Sequence, residues 1–563
     1  MRLRKFSVLT ISIMLLFPLA ILSGVQKPQA PSLEGDWTGG YKVGERWTTF
    51  KVQFKTVNGG IKGTAELPPE NVQVEGPKTA DLARVTLEGD RVHFEIPNKN
   101  GDMIFDCVFK DGELSGSFKK GASAGDAQFV RLAEVKSEVW EAYIGEYGNG
   151  RDNYISIFKF SEQAEDGSMF YFDSETGRIG GLRPVTETTF FSGPSMASDF
   201  PIDIRASFKK NNSGGVEKLI WKRNGFADLE ARNAKTYTEE KVTYPSGDVQ
   251  LAGSLRIPNR PGPHPAIVFA HGSGPGTRNQ VSILAHFFLH RGIAVLGFDK
   301  RGVGQSTGNW RRIDFPDLAS DVLAGVKFLQ KRPDINPKQI GLYGISQGGW
   351  IVSLAASLSE DVAFIVPHSG PGVTPKAQEF YMLTNVMTMS GFSKEEIDGV
   401  LEALSLLFVY GKTGNGGDKL DALVNKLKTN PKLADYLPPP SKDVTMEKIY
   451  EKQALGDPGW FFHLNVDYDP VPGYRKVKCP ALIIFGKHDF TVPVEESVAK
   501  IEKALQESGN KDYTIKVLQN AGHGVLEVDA RNPTQMSSPA RFAPGYLSML
   551  GDWLKKTLKL NSP

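Results

Sequence analysis

A serine placed between two glycines is the first feature of this chain that could carry out chemistry. Ser346 stands at the centre of residues 344–348, which read Gly-Ile-Ser-Gln-Gly and fit the pattern Gly-x-Ser-x-Gly. The mainly apolar residues 340–343 predict a buried strand, and residues 349–358 predict a helix. Strand, tight turn and helix in this order are typical of a nucleophile elbow, in which the serine hydroxyl is pushed out of the turn. An ordinary loop serine is the alternative, because the pattern also arises by chance in a chain with 59 glycines.

A serine hydroxyl becomes a good nucleophile only when a base removes its proton and a third group orients that base. Around an elbow of this kind, the residues follow along the chain in the order serine, acid, histidine. Of the nine histidines, His523 follows both the elbow and an acid-bearing strand end, in a glycine-containing turn. Asp489 comes directly after the predicted strand 481–485 and is therefore the predicted acid. Asp467 and Asp469 compete for this role, but they precede that strand.

The negative oxygen that develops during such a reaction needs backbone N–H donors. One donor is expected from Gln347, directly after the serine, and the other from the loop 271–276, which reads His-Gly-Ser-Gly-Pro-Gly. Within this loop we predict that Ser273 donates, with Gly274 as the alternative. His271 is expected to brace the loop rather than to take part in the chemistry. A site of this kind requires no metal ion and no cofactor.

The elements that must position these residues alternate between strand and helix from about residue 236 to residue 560. This alternation predicts βαβ units and a mostly parallel sheet, that is, an α/β domain. Residues 371–472 interrupt the rhythm with helical and proline-rich stretches, which predicts a mainly helical cap insertion. Met382, Met387 and Met389 in this insertion could line an apolar substrate pocket or form the cap's own core.

Two earlier stretches, residues 33–133 and 137–232, alternate apolar and polar residues and contain frequent turns. This period of two predicts antiparallel all-β units, either small barrels or sandwiches. Both open alike, with Leu-Glu-Gly-Asp-Trp at 33–37 and Tyr-Ile-Gly-Glu-Tyr at 143–147, and resemble a pair of related lipocalin-like modules. Such modules could bind apolar ligands, cover the catalytic domain or serve the architecture alone.

Residues 1–24 have the pattern of a secretory signal peptide. A positively charged start is followed by an apolar stretch over 6–22 and then by small residues, with cleavage expected after Gly24 or Ala30. We therefore expect an exported protein, periplasmic or secreted, without stable membrane insertion after cleavage. An uncleaved membrane anchor is the alternative, because the apolar stretch is close to the length of about 20 residues that a membrane span needs.

Composition sets further bounds. The 563 residues predict about three to four domains. The net charge of +2 gives no reason to expect a nucleic-acid partner. The two cysteines, Cys107 and Cys479, fall in different predicted domains, so no disulfide framework is indicated.

The combined motifs resemble the α/β-hydrolase superfamily over residues 236–560. Residues 298–306 read Phe-Asp-Lys-Arg-Gly-Val-Gly-Gln-Ser and are similar to a turn of serine-aminopeptidase-like and prolyl-oligopeptidase-related hydrolases. Segments 460–462 and 468–470 resemble bacterial carboxylesterases of that branch. The resemblance implies an eight-stranded, mostly parallel sheet and ester-type hydrolysis, with Asp299 and Arg301 stabilising their turn rather than catalysing.

One departure concerns peptidase activity. Prolyl iminopeptidases typically read His-Gly-Gly-Pro-Gly in the oxyanion loop, whereas this chain has Ser273 and Gly274 there. The sequence therefore predicts an exported serine hydrolase that cleaves a small-molecule carboxylic ester, and a peptidase acting on short peptides is the alternative. A hypothesis of another class is an envelope ligand-binding protein with a degenerate hydrolase domain, against which the intact set of Ser346, Asp489 and His523 argues.

Overall fold

The computed structural model describes most of the chain. The described residues are 32–44, 46–67, 78–98, 101–148, 153–159, 169–194, 199–234, 236–443, 466–529, 532–536 and 540–560. The predicted signal peptide and the segment 460–462 lie outside them. Within these ranges, no helix has both the length and the apolar character that a membrane span requires.

Residues 35–131 form a nine-stranded antiparallel sheet, which we call the first module. Its strands are β1 (Gly35–Val43), β2 (Arg46–Val57), β3 (Gly60–Leu67), β4 (Lys78–Asp81), β5 (Arg84–Glu88), β6 (Arg91–Ile96), β7 (Met103–Lys110), β8 (Glu113–Lys120) and β9 (Ser123–Arg131). Their order is β4-β3-β2-β1-β9-β8-β7-β6-β5, so β1 and β9 pair at the centre and β4 and β5 form the edges. The period of two buries one face, as in β6, where Val92, Phe94 and Ile96 are buried.

Residues 145–234 form a closed, eight-stranded antiparallel barrel, which we call the barrel. After helix α1 (Ser137–Glu141) its strands are β10 (Gly145–Gly148), β11 (Tyr154–Lys159), β12 (Met169–Asp173), β13 (Ile179–Pro184), β14 (Thr189–Ser192), β15 (Ile204–Lys210), β16 (Val216–Arg223) and β17 (Leu229–Ala234). Each strand pairs with the next in sequence, and β10 pairs with β17. Tyr147, Tyr171 and Trp221 lie in the barrel's own buried cluster. This up-and-down closure is compatible with the predicted lipocalin-like character.

Residues 237–558 form the α/β domain around an eight-stranded sheet of order β18-β19-β21-β20-β22-β23-β24-β25. The strands are β18 (Tyr237–Ser246), β19 (Val249–Pro258), β20 (His264–Ala270), β21 (Ala294–Phe298), β22 (Ile335–Ile345), β23 (Phe364–His368), β24 (Ala481–Gly486) and β25 (Tyr513–Leu518). Five of the seven pairings are parallel, and the pairings β18–β19 and β19–β21 are antiparallel. A small hairpin, β26 (Val528–Asp529) with β27 (Asn532–Met536), follows.

Helices cover both faces of this sheet. They are α2 (Ser282–His290), α3 (Phe315–Gln330), α4 (Gln347–Leu358), α9 (Val494–Glu507) and α10 (Tyr546–Leu558), with 3-10 turns at Arg278–Val281, Trp310–Arg312 and His523–Val525. Successive residues of β20 point to opposite faces: Ile267 and Phe269 pack with α2 and α10, and Val268 and Ala270 pack with α3, α4 and α9. Burial on both faces explains why these strands are almost wholly apolar.

The cap lies between β23 and the short helix α8 (Val471–Tyr474). Its described part contains α5 (Pro375–Met389), α6 (Lys394–Thr413) and α7 (Gly417–Leu427), followed by 3-10 turns at Pro431–Tyr436 and Ser441–Asp443. Met387 is fully buried in the cap's own core with Val400 and Leu420, whereas Met389 is 48% exposed. Of the two roles left open for the methionines, Met387 therefore has the structural one.

The barrel packs directly on α2 of the α/β domain. Glu146 of the barrel is 1% exposed, and its carboxylate lies 2.6 Å from His286 Nδ1 and 3.0 Å from His290 Nε2. The His290 ring stacks on Tyr154 with centroids 3.7 Å apart. Apolar barrel residues, among them Phe172, join the same buried cluster as α2 and α10. The barrel and the α/β domain thus share one buried cluster, in addition to the barrel's own.

Candidate active site

Ser346 is the only residue between strand β22 and helix α4. Its backbone has φ 54° and ψ −120°, a conformation that residues other than glycine rarely adopt. The Ser346 N–H donates to the His368 carbonyl at 2.9 Å, and the Ser346 carbonyl accepts from Gly349 N–H at 2.8 Å. The strand, the strained turn and the helix therefore occur as predicted, and strain held in this way is typical of functional sites.

The two glycines of the motif are required by the packing of the backbone. A Cβ atom on Gly344 would lie 2.2 Å from the Gly348 carbonyl oxygen. A Cβ atom on Gly348 would lie 2.5 Å from the Ala270 carbonyl oxygen. The first oxygen belongs to helix α4 and the second to strand β20, and neither can move without displacing its element, so a side chain at either position would disrupt the turn that presents Ser346.

His523 and Asp489 form a hydrogen-bonded pair, with His523 Nδ1 2.8 Å from Asp489 Oδ2. Asp489 is 2% exposed, and its Oδ1 accepts from the backbone N–H groups of Thr491 and Val492, each at 2.9 Å. The carboxylate is thus held on both oxygens. His523 remains 27% exposed at its side chain, so Nε2 of the same ring is the atom that can exchange a proton with a substrate.

The competing acids lie elsewhere. Asp467 pairs with Lys412 of the cap at 3.2 Å, and Asp469 accepts from the backbone N–H of Val471 at 3.0 Å. Asp489 is therefore the carboxylate that the fold pairs with His523.

The loops that carry the predicted base, nucleophile and oxyanion donors converge. A Cβ atom on Gly524, directly after the histidine, would lie 3.6 Å from Ile345 Cδ1, directly before the serine. A Cβ atom on Gly272 would lie 4.0 Å from the Cβ atom of Ser346. Gly524 N–H also donates to Ser369 Oγ at 3.2 Å. This bond joins the loop that carries His523, which we call the histidine loop, to the end of β23.

The two predicted oxyanion donors occupy different settings. Ser273 is exposed in its loop, next to the buried Gly274 with φ +82°. Gln347 is buried at the first position of α4, where the backbone N–H has no acceptor within the helix. His271 is buried against Phe298, its ring edge-on at a centroid distance of 4.8 Å, and burial lowers the pKa of His271 to about 3. A neutral, packed imidazole fits the bracing role expected for it.

Lys300, which the sequence motifs did not single out, is a buried amine that joins the two donor segments. Its Nζ donates to the carbonyl oxygens of Gly272 and Gly274 at 3.2 and 3.0 Å and to Gln347 Oε1 at 3.0 Å. Lys300 is 2% exposed, and burial lowers the pKa of this lysine to about 7. The available signal was a lysine between Asp299 and Arg301, two residues after a buried strand.

Those two charged residues are structural, as the resemblance implied. Asp299 pairs with Arg278 and accepts backbone N–H groups from Arg278 and Gln305 at 2.8 and 2.9 Å. Burial acts to raise the pKa of Asp299, but these hydrogen bonds lower it overall. Arg301 pairs with the buried Asp321 through two hydrogen bonds of 2.6 and 2.8 Å. Both pairs tie the turn to its surroundings.

The cap contacts the loop that carries Asp489 through helix α5. Tyr381 donates to the Asp489 carbonyl at 3.4 Å, and Asn385 Nδ2 donates to the Phe490 carbonyl at 2.9 Å.

Across the described part of the chain, no cluster of three or more His, Cys, Asp or Glu side chains is arranged to hold a metal ion.

A cavity of about 200 Å³ lies beside the elbow and is lined mainly by apolar side chains. It touches Gly272, Ile345 and Gly524, the immediate neighbours of the predicted oxyanion donor, nucleophile and base. Its other walls come from β20, α2 and the segment around Phe542, and from Ile179 of the barrel.

Comparison with known proteins agrees with this architecture. Residues 267–543 match the Alpha/beta hydrolase family. Esterase EstD of Thermotoga maritima is 22% identical over 367 residues, which are 63% of this chain and 77% of the esterase. An uncharacterised 31.7 kDa protein of Escherichia coli is 26% identical over 266 residues, 46% of this chain and 85% of its own length. A solved esterase of Pyrococcus furiosus aligns with 57% of this chain and 92% of its own at 18% identity and a TM-score of 0.36. The chain belongs to the α/β-hydrolase superfamily, through residues 267–543, and is similar to carboxylesterases.

Proposed function

We propose that this protein is a serine hydrolase that cleaves carboxylic esters through an acyl-enzyme on Ser346. The observation that carries the proposal is the pairing of the buried Asp489 carboxylate with His523 at 2.8 Å. The loop that carries His523 meets the strained serine turn. Residues 1–24 support the further proposal that the enzyme is exported, to the periplasm or the medium.

The groups present would act in sequence. Ser346 Oγ attacks the ester carbonyl carbon while His523 Nε2 takes its proton, and Asp489 orients the ring and stabilises the imidazolium. The backbone N–H groups of Ser273 and Gln347 bind the oxyanion. His523 then protonates the leaving alcohol as the carbon–oxygen bond breaks. Water releases the acyl group by the reverse route and restores Ser346.

An ester fits the neighbouring cavity better than a short peptide does. The residues that line the cavity include no carboxylate that could pair with the ammonium group of a peptide N-terminus. EstD, which aligns with 63% of this chain, is named an esterase. Both observations favour a neutral small-molecule ester as the substrate.

Hydrolysis of p-nitrophenyl esters and of matched aminoacyl p-nitroanilides by the mature protein tests the proposal. We expect ester turnover, labelling by a fluorophosphonate, and loss of both in Ser346→Ala. Asp489→Asn should lower kcat by about 10⁴-fold, because the ring would then favour the wrong tautomer. Ser357→Ala is the matched control, since Ser357 lies on α4 with its hydroxyl bonded to the Leu354 carbonyl.

Three outcomes would overturn the proposal. Turnover that survives Ser346→Ala would show that Ser346 is not the nucleophile. Anilide turnover with negligible ester turnover would make the protein a peptidase. A folded protein that neither labels nor turns over, yet binds an apolar ligand, would favour the binding-protein hypothesis.

A further inference from the structure

The cavity beside the elbow takes one of its walls from the barrel rather than from the α/β domain. Ile179, at the start of β13, lines it together with residues of β20, α2 and the histidine loop. We propose that the barrel is part of the substrate-binding site, with Ile179 closing an apolar acyl pocket and limiting the length of the acyl chain. This inference rests on the proposed esterase function.

The position of the cavity relates it to the reacting carbonyl. Gly272, Ile345 and Gly524 are among the residues that line it, and each is adjacent in sequence to a residue that the proposed reaction uses. An acyl chain attached to Ser346 would therefore enter the cavity beside these three residues. Ile179 is contributed by a different domain, and its side chain is 3% exposed.

The chemistry of the lining selects an uncharged hydrocarbon chain. Phe269, Leu284 and Phe542 supply apolar walls. Two histidines also line the cavity, but burial lowers the pKa of both His271 and His368 to about 3, so both rings are neutral. A charged acyl group would lose its hydration here without gaining a partner of opposite charge.

The barrel wall is held in place by backbone hydrogen bonds. Ile179 N–H donates to the Ala540 carbonyl at 3.1 Å, and Phe542 N–H donates to the Gly177 carbonyl at 3.0 Å. The same segment continues to the histidine loop, where Ala543 N–H donates to the Val525 carbonyl at 2.9 Å. A continuous ladder thus joins the barrel, the segment 540–543 and the loop of the proposed base, and it fixes the distance between Ile179 and the site.

The volume predicts a chain length. An engineered cavity of about 150 Å³ accommodates benzene, so a cavity of about 200 Å³ holds an acyl chain of roughly six to eight carbon atoms. Replacing isoleucine by alanine removes three side-chain carbon atoms from the wall. The preferred chain should then lengthen by about two carbons, and each additional buried CH₂ should raise kcat/KM about fourfold.

The test is the kcat/KM profile over p-nitrophenyl esters from acetate to laurate, measured on the full-length mature protein. Wild type should prefer chains of about six to eight carbons. Ile179→Ala should shift the maximum to longer chains and raise kcat/KM for an ester two carbons longer by about 15-fold. Ile179→Phe should shift it to shorter chains. Ile220→Ala, the same change on the partly exposed residue of β16 between Leu219 and Trp221, should leave the profile unchanged.

Thermal melting shows whether each variant is folded. Ile179→Val is a milder variant, which should shift the kcat/KM maximum to longer chains by less than Ile179→Ala does. A wild-type profile in folded, active Ile179 variants would overturn the assignment of this wall, while turnover that still depends on Ser346 would leave the proposed function intact. An equal shift in Ile220→Ala would also overturn it, because the effect would then be a general response of the barrel.

Discussion

Replacing Lys300 by methionine removes an ammonium group that touches both predicted oxyanion segments while keeping most of the length of the side chain. Three hydrogen bonds would be lost: those to the carbonyl oxygens of Gly272 and Gly274 and to the side chain of Gln347. These three bonds join the loop 271–276 to the start of α4. We therefore expect the predicted donors to move apart, with the largest effect on kcat rather than on KM.

The size of the effect follows from the cost of a misplaced donor. Removing an oxyanion donor outright costs about 10²–10³ in kcat, and a displacement of about 1 Å can cost as much as 10². Because Lys300→Met leaves both donors in the chain, we expect kcat to fall by about 10- to 100-fold, or about 1.4–2.7 kcal/mol of activation free energy. Lys300→Gln, which keeps an N–H donor without the charge, should fall between wild type and Lys300→Met.

Stability should change in the opposite direction. Burial lowers the pKa of Lys300 to about 7 from the ordinary 10.5, so the folded protein bears the cost of a buried charge below pH 7. That cost decreases as the pH rises from about 7 towards 10.5, where the unfolded chain also loses its proton. The melting temperature of Lys300→Met relative to wild type should therefore be most favourable below pH 7 and should decline above it.

Steady-state kinetics and thermal melting between pH 5 and 10 check both parts. Wild-type kcat should show an alkaline limb at or above pH 7, since the hydrogen bonds that the ammonium donates favour its charged form, and Lys300→Met should lack this limb. A kcat within twofold of wild type in a folded Lys300→Met protein would refute the reasoning. Parallel losses of kcat and stability at every pH would show a general packing role instead.

Three further changes have defined outcomes. Gly344→Ala should abolish ester turnover and lower the melting temperature, because its Cβ atom would lie 2.2 Å from a carbonyl oxygen, whereas Gly181→Ala, with 3.8 Å to its nearest atom, should do neither. Burial opposes ionisation of Glu146, yet its two histidine partners lower the pKa to about 2, so Glu146→Gln should reduce the unfolding free energy above pH 4.5 and reduce it less as the pH falls towards 2. Burial raises the pKa of Glu379 to about 7, so Glu379→Gln should be more stable than wild type by about 1–3 kcal/mol at pH 8, with no gain at pH 4, as urea unfolding would show.

The parts of the site that could be predicted are those whose causes are local in sequence. Helix α3 has such local signals, because Asp314 caps its start and Pro316 fits its first turn. The elbow and the pairing of His523 with Asp489 followed from motifs at strand ends. The structure does not test whether Ser273 is the second oxyanion donor, and this stays a prediction.

What could not be predicted depends on contacts between distant parts of the chain. Lys300 reaches residues 28 and 47 positions away in sequence, and no local pattern encodes those neighbours. The same holds for the β modules: alternation indicates strands, but pairing between the first and last strands decides whether a sheet closes. It closes in the barrel through β10 and β17, while β4 and β5 form sheet edges in the first module.

The docking of the barrel bears on where substrate selection resides in this chain. The segment 540–543 pairs with the barrel on one side and with the histidine loop on the other, so a change in the barrel's position would move both Ile179 and the loop of His523. The buried contacts of Glu146 with α2 oppose such a movement, because separating them would expose a carboxylate whose partners lie on the other domain. A wall held in this way would discriminate between acyl chains that differ by one or two carbons. We therefore expect substitutions at the barrel face to alter chain-length preference, and substitutions in the cap core around Met387 to alter mainly stability.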